Sequence, residues 1–151
     1  MHALLLAALA LAGPPSQGVV VPGESLGGLR LGATPAQVRA AWGKRYGVCR
    51  TCARRTWYFT YRPFEPQGAG VEFRNGRVAA LFTLWQPPGW RTREGLALGD
   101  PATRVDALYG LLPETRCRGY SALRLGRTAF YVRREEVWGF GLLAAGASVC
   151  R

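Results

Sequence analysis

Two stretches of the chain carry the same order of apolar and polar positions. Gly28 to Gly43 reads GLRLGATPAQVRAAWG and Gly95 to Gly110 reads GLALGDPATRVDALYG, a gapless match at an offset of 67 residues. Each begins with an extended Gly-Leu-x-Leu-Gly. Apolar residues at helical spacing follow: Val38, Ala41 and Trp42 in the first copy, Val105, Leu108 and Tyr109 in the second. Thr34, Pro35 and Gln37 form a capping-box start. In the second copy Asp100 is the expected cap, followed by Pro101. Gly43 and Gly110 are placed to end both helices. The helices span only about eight or nine residues, too short to persist alone, so their apolar faces must pack on something else.

The intervening segments read as strand. Thr56 to Tyr61 is aromatic and β-branched. Gly70 to Arg74 and Arg77 to Trp85 flank Asn75-Gly76, the strongest short hairpin signal. Ser121 to Leu125 is a shorter strand, and Thr128 to Arg133 with Val137 to Leu143 forms a second hairpin around Arg134-Glu135. The expected class is α+β: two tandem helix–three-strand units forming antiparallel sheets with short helices on one face. Unit one covers residues 13–85, a proline-bearing join 86–90, and unit two 91–151.

Strict alternation then assigns the faces. Phe73, Val78, Val71, Ala80, Phe82 and Leu84 fall under the helix, as do Phe130, Val132 and Val137. The opposite face receives Glu72, Arg74, Arg77, Leu81, Thr83 and Trp85, together with Tyr131, Arg133, Trp138 and Phe140. Such a face should be polar. Trp85, Tyr131, Trp138 and Phe140, flanked by Arg74 and Arg133, therefore form the candidate partner-binding surface. The alternative is that these rings are buried between the two units.

Ala3 to Ala12 is an apolar run of about ten residues, too short to span a bilayer. With a small-x-small site at Ala10-Leu11-Ala12, residues 1–12 read as a secretory signal peptide, and the protein as secreted or held in the cell envelope. Cys49, Cys52, Cys117 and Cys150 then argue for disulfides. Three connectivities are open, and Cys49–Cys52 with Cys117–Cys150 is favoured. Cys49-Arg50-Thr51-Cys52 is also the one motif with redox potential. Its position after a helix and before a strand suits a structural turn better. A four-cysteine zinc site wants two CxxC knuckles and finds one.

The chain carries 20 Lys+Arg against 9 Asp+Glu, a net charge of +11, and Lys44 is its one lysine. That excess favours acidic partners: an anionic wall polymer, a membrane surface, an acidic protein or, less favoured, nucleic acid. The one histidine is His2, inside the signal segment. Ser-His, Cys-His and His-metal chemistry are thereby removed from the rest of the chain. Glu135 and Glu136 are turn residues rather than a catalytic pair. Gly68-Ala69-Gly70 precedes a strand and is no phosphate loop. No enzyme activity, metal or cofactor is expected. The function read from the sequence is a secreted binding module for a protein partner, with an anionic envelope polymer as the alternative.

The Gly-Leu-x-Leu-Gly, capped short helix and antiparallel strands resemble the repeat of the β-lactamase inhibitory protein. They also resemble the single unit of the SmpA/OmlA (BamE) outer-membrane assembly lipoproteins. Small secreted bacterial proteins share this two-copy layout. The resemblance implies a helix-on-sheet repeat over residues 24–151. It carries over neither a lipid anchor, since the lipobox cysteine is missing, nor inhibition of a β-lactamase, since the loops do not match.

Overall fold

In a computed structural model, the structure describes residues 17–60, 68–84 and 89–151. The signal segment 1–12 lies outside the described residues. Eleven strands and two helices occur among them: β1 (Gln17–Val21), β2 (Ser25–Leu26), α1 (Pro35–Trp42), β3 (Gly47–Cys49), β4 (Thr56–Thr60), β5 (Gly68–Arg74), β6 (Arg77–Leu84), β7 (Gly89–Thr92), α2 (Thr103–Tyr109), β8 (Glu114–Cys117), β9 (Tyr120–Leu125), β10 (Thr128–Arg133) and β11 (Glu136–Leu143). An eight-stranded antiparallel sheet has the order β3-β4-β5-β6-β11-β10-β9-β8, and a small sheet has the order β2-β1-β7.

This corrects the expected class. With helices of eight and seven residues against eleven strands, the protein is mostly β, not α+β. Four strands, not three, follow each helix, because Gly47–Cys49 and Glu114–Cys117 add an edge strand at either end. The separate small sheet, with β1 and β7 in parallel, has no place in a helix–three-strand unit. Residues 89 and 90, expected in the join, belong to β7, and Trp90 is fully buried. The principal core joins both halves, holding Val38, Trp42, Trp57 and Phe59 together with Trp90, Val105, Phe130 and Phe140. At its centre Trp42 meets Phe59 and Trp90 edge-on and donates its indole N–H to the Gly27 carbonyl at 2.9 Å.

The helix starts differ. Thr34 and Gln37 make the reciprocal capping box on α1. Asp100 does not cap α2, which begins after Ala102 without a side-chain cap. The residue is drawn elsewhere: its carboxylate accepts from Ala97 N–H at 2.9 Å and pairs with Arg104 at 3.3 Å. Both helices stop at glycines with positive φ, 86° at Gly43 and 78° at Gly110. A Cβ on Gly110 would meet nothing within 4 Å, so Gly110→Ala isolates backbone strain. A loss of about 1 kcal/mol in chemical denaturation is expected. An unchanged midpoint would show that the positive φ at Gly110 is not required.

Strict alternation fails at one place in each hairpin. The Asn75-Gly76 turn pairs Arg74 with Arg77 and Phe73 with Val78, but the next pair is Glu72 with Ala80, leaving Ala79 as an extra residue. The second hairpin repeats this: Val132 pairs with Val137 and Tyr131 with Gly139, leaving Trp138 extra. The cause lies in the Gly-Leu-x-Leu-Gly segments. Gly32 N–H donates to Val78 O and Gly99 N–H to Val137 O, both at 2.8 Å. Val78 and Val137 donate in turn to Ala33 O at 2.9 Å and Asp100 O at 2.8 Å. Their backbone groups are thus turned away from the sister strand, and a bulge forms there.

Tyr109 ties α2 to β7. Its ring stacks on Phe130 at 4.8 Å, and its hydroxyl lies 2.8 Å from Thr92 Oγ1 and 2.9 Å from the Glu94 carboxylate. Burial, aided by Glu94, pushes that hydroxyl up to about 12. An unfolded tyrosine ionises near ~10. The folded state therefore holds the proton longer, and the resulting stability is complete below about pH 10 and is lost as pH rises through the folded value. Tyr109→Phe should flatten part of the alkaline limb of a stability–pH curve. An identical limb in the variant would remove Tyr109 from this account.

Candidate functional site

The expected aromatic patch does not exist as a surface. Trp85 lies outside the described residues. Phe140 is fully buried on the helix side, edge-on to Phe130 at 6.2 Å. The Trp138 bulge shifts the alternation, so Val137, Phe140 and Leu142 share the face that strict parity gave to Val137 alone. Tyr131 does lie on the opposite face, but it too is fully buried. Residues 144–151 cross over it, and its hydroxyl donates to Val149 O at 2.8 Å. Burial raises that hydroxyl's pKa well above its ordinary value. Trp138 is half-buried against Tyr120, with the Arg133 guanidinium 5.5 Å from its ring centroid. Arg133 and Arg74 are exposed, but Arg74 donates to Ala145 O at 3.0 Å and helps hold the C-terminal segment. Among the five that are described, Arg133 and Trp138 meet.

The same shift re-sorts the first hairpin. Val71 and Phe73 lie on the helix side as expected, but Leu81 joins them there and Ala80 and Phe82 face away, so the expected assignment of these last three is reversed. Val71 pairs with Leu81.

What this face offers is a groove of about 690 Å³ over β4, β5 and β6. Thr56, Tyr58, Thr60, Glu72, Phe82 and Leu84 form its floor. Cys52, Ala53 and Arg54 form one wall, and Ser148, Cys150 and Arg151 the other. Tyr58 stands edge-on to Phe82 at 6.2 Å. Glu72 is only 8% exposed. It sits between two cations, with Arg54 at 3.4 Å and Arg151 at 2.5 Å. The Arg151 side chain is itself 6% exposed and lies 5.5 Å from the Phe82 ring. A buried carboxylate needs such partners, because leaving either charge unpaired in a low dielectric is costly.

Both disulfides frame this groove. Cys49–Cys52 closes the turn after β3, and Cys52 Sγ lies 4.0 Å from the Tyr58 hydroxyl. That turn leads directly to Arg54. Cys117–Cys150 ties the C-terminal segment to β8 and so fixes Arg151, its neighbour in sequence. Each cross-link thus supports one of the two arginines beside Glu72. The lining supplies one carboxylate, two guanidiniums, several hydroxyls and an apolar floor, with its cysteines engaged in disulfides. Those groups can hold a ligand by charge and apolar contact.

Glu72, Arg54, Arg151, Tyr58, Phe82 and Leu84 were not candidate residues in the sequence. One signal was present: Glu72 is an acid inside the apolar run Gly70 to Phe73, in a chain poor in acids. Its partner Arg151 is 79 residues away, a separation that no local pattern reveals.

No protein-family model matches this chain, and no curated protein matches it. Solved structures do. The chain is similar to an extracellular protein containing a SCP domain from Bacillus anthracis, with TM-score 0.54 at 10% identity over 76% of this chain and 44% of that one. It is similar to yfeY from Escherichia coli, with TM-score 0.53 at 11% identity over 87% of this chain and 99% of that one. It is similar also to a cysteine-rich secretory protein from Staphylococcus aureus, with TM-score 0.53 at 11% identity over 89% of this chain and 50% of that one. The chain spans about half the length of the Bacillus and Staphylococcus proteins. At these identities the likeness concerns the fold alone. It overturns the expected resemblance to the β-lactamase inhibitory protein and the SmpA/OmlA lipoproteins, since the structures matched are of other proteins and the chain itself is mostly strand. Among the described residues no helix is long and apolar enough to cross a membrane.

Proposed function

We propose that this protein is a secreted or envelope-located, non-enzymatic binding module whose ligand seats in the groove between Arg54 and Arg151. The observation that carries this reading is the groove itself. It is an open space of about 690 Å³ with an apolar floor and a buried Glu72 flanked by two arginines, within the size range of ligand sites. The extracytoplasmic setting is supported by two disulfides in a chain without free cysteines among the described residues. Two of the similar structures are, moreover, of proteins described as extracellular or secretory.

A second reading rests on the net charge of +11: capture of an anionic envelope polymer by surface arginines. The two separate in one experiment. The purified protein with both disulfides formed is passed over a native envelope extract at low and high salt, beside a Leu84→Arg variant that fills the groove with a polar chain. Groove binding predicts a component, identified by mass spectrometry, that the parent retains at both salts and the variant loses. Polymer binding by counterion release predicts retention by both proteins that collapses at high salt. Equal retention by both, insensitive to salt, would remove the groove from the reading.

A further inference from the structure

We infer that the outer edge of β3 is the seat for a linear anionic polymer of the envelope, which lies along Arg39, Lys44, Arg45, Arg50 and Arg55. This rests on the second reading, polymer capture by charge, and places that capture at one edge of the large sheet rather than over the whole surface.

Charge is unevenly spread along the chain. Residues 25–60 hold seven of the 20 cations and none of the 9 acids. Two of the seven are engaged, Arg30 with Glu24 and Arg54 with Glu72. The side chains of Lys44, Arg45 and Arg50 are exposed and make no ion pair or hydrogen bond among the described residues. Arg39 and Arg55 share one ring: their guanidiniums lie 5.5 and 5.3 Å from the centroid of Trp57. Trp57 is 1% exposed and carries Tyr46 stacked on it at 3.9 Å, so the ring is fixed in place. Two guanidiniums are thereby held near each other, with no carboxylate paired to either among the described residues. A ligand oxyanion offers both of them an acceptor. The opposite edge of the sheet differs. Arg116 and Arg118 share it with Glu114 of β8, and Arg134 on the adjoining turn is followed by Glu135 and Glu136.

The layout of these cations selects for a polymer. β3 is the last strand of its sheet and pairs with β4 alone. Lys44 and Arg45 precede it, Arg50 follows it, and Trp57 with its two arginines is the register partner of Val48 at its middle. At roughly 3.3 Å per residue, Arg45 and Arg50 stand about 16 Å apart along the strand. One small anion does not span that row. A chain of regularly spaced anions meets it at several points and releases counterions at each. The Cys49–Cys52 disulfide closes the turn that bears Arg50, so this end of the row is ordered before binding. A bilayer fits less well. Val48, 54% exposed, is the one large exposed apolar side chain in residues 39–55, and a single such residue gives little insertion. Arg39 is half-buried, within reach of a flexible chain but not of a flat surface.

The test titrates the intact, oxidised protein with linear polyphosphate by isothermal calorimetry over a series of salt concentrations. The expected result is saturable binding at low salt whose affinity falls linearly with salt on logarithmic axes. The triple variant Lys44→Gln/Arg45→Gln/Arg50→Gln should weaken binding at least about tenfold and lower the slope by about 2. Arg116→Gln/Arg118→Gln/Arg134→Gln removes the same charge at the opposite edge and should cost less than about threefold. All six positions are exposed, so both triples should keep the parent's thermal midpoint. Inorganic phosphate at equal phosphate concentration should not saturate the protein, and vesicles of phosphatidylglycerol should be held more weakly than polyphosphate. Equal losses from the two triples, saturation by inorganic phosphate, or a tighter hold on vesicles would overturn the inference. If the two triples lose polyphosphate equally while an envelope component is still retained at low salt and released at high salt, the inference falls and polymer capture stands. If neither polyphosphate nor any envelope component binds in a salt-sensitive way, both fall.

Discussion

Phe140→Ala should cost about 3–5 kcal/mol of folding stability, and Trp138→Ala roughly 1–2, although strict alternation along β11 would put both rings on one open face. Phe140 is fully buried in the principal core and meets Phe130 edge-on at 6.2 Å, so its removal leaves a ring-sized cavity between the sheet and α2. Trp138 occupies the bulge. It stays half-buried, and what it loses is one tilted contact with Tyr120 at 5.1 Å and a cation–π contact with Arg133 at 5.5 Å. An exposed contact of the latter kind is worth about 0.5–1 kcal/mol. Urea unfolding of the two variants would decide, read as midpoints at unchanged slope. The reverse order of costs would mean that the bulge is misplaced and that the alternation runs unbroken.

The bulge also explains how far the sequence could be read. Turn chemistry was legible: Asn75 and Gly76 both take positive φ, as a tight hairpin turn requires. The Thr34 capping box and the helix-ending glycines were legible too, since each depends on residues a few positions apart. The faces beyond the turn were not. The parity shift at Ala79 and Trp138 is imposed by backbone bonds from Gly32 and Gly99, whose partners Val78 and Val137 are far away in the chain. Glycine choices in β11 were similarly unreadable. A Cβ at Gly141 would lie 2.7 Å from the Tyr131 hydroxyl, and one at Gly139 would lie 2.5 Å from Thr83 O, so both record close approaches that exist only in the folded sheet. The strand content was underestimated for a plainer reason. Gly47–Cys49 and Glu114–Cys117 are short, largely exposed edge strands with little apolar pattern to announce them. The groove was missed because its three charged residues come from a turn, a central strand and the last residue of the sequence.

Removing the Cys117–Cys150 disulfide should be the most damaging change short of the core, and far worse than removing Cys49–Cys52. The sequence separations are 33 and 3, and chain entropy alone gives about 4 and about 2 kcal/mol respectively. The structure widens the gap. Cys150 anchors residues 144–151, which cover Tyr131 and Phe82 and deliver Arg151 to Glu72. With that segment loosened, a carboxylate that is only 8% exposed keeps Arg54 alone, at 3.4 Å. Breaking one side of a buried ion pair adds to the entropic loss. The Cys49–Cys52 link instead holds a local turn, and its loss should leave the sheet face closed. The paired variants Cys117→Ser/Cys150→Ser and Cys49→Ser/Cys52→Ser can be compared by thermal denaturation and by hydrogen exchange. The first pair should show the larger fall in midpoint, with faster exchange in β10, in β11 and in residues 144–151. The second pair should show faster exchange confined to residues 47–58. Equal falls, or undiminished protection of the C-terminal segment without Cys117–Cys150, would mean that Tyr131, Tyr120 and Arg151 hold that segment down without the cross-link.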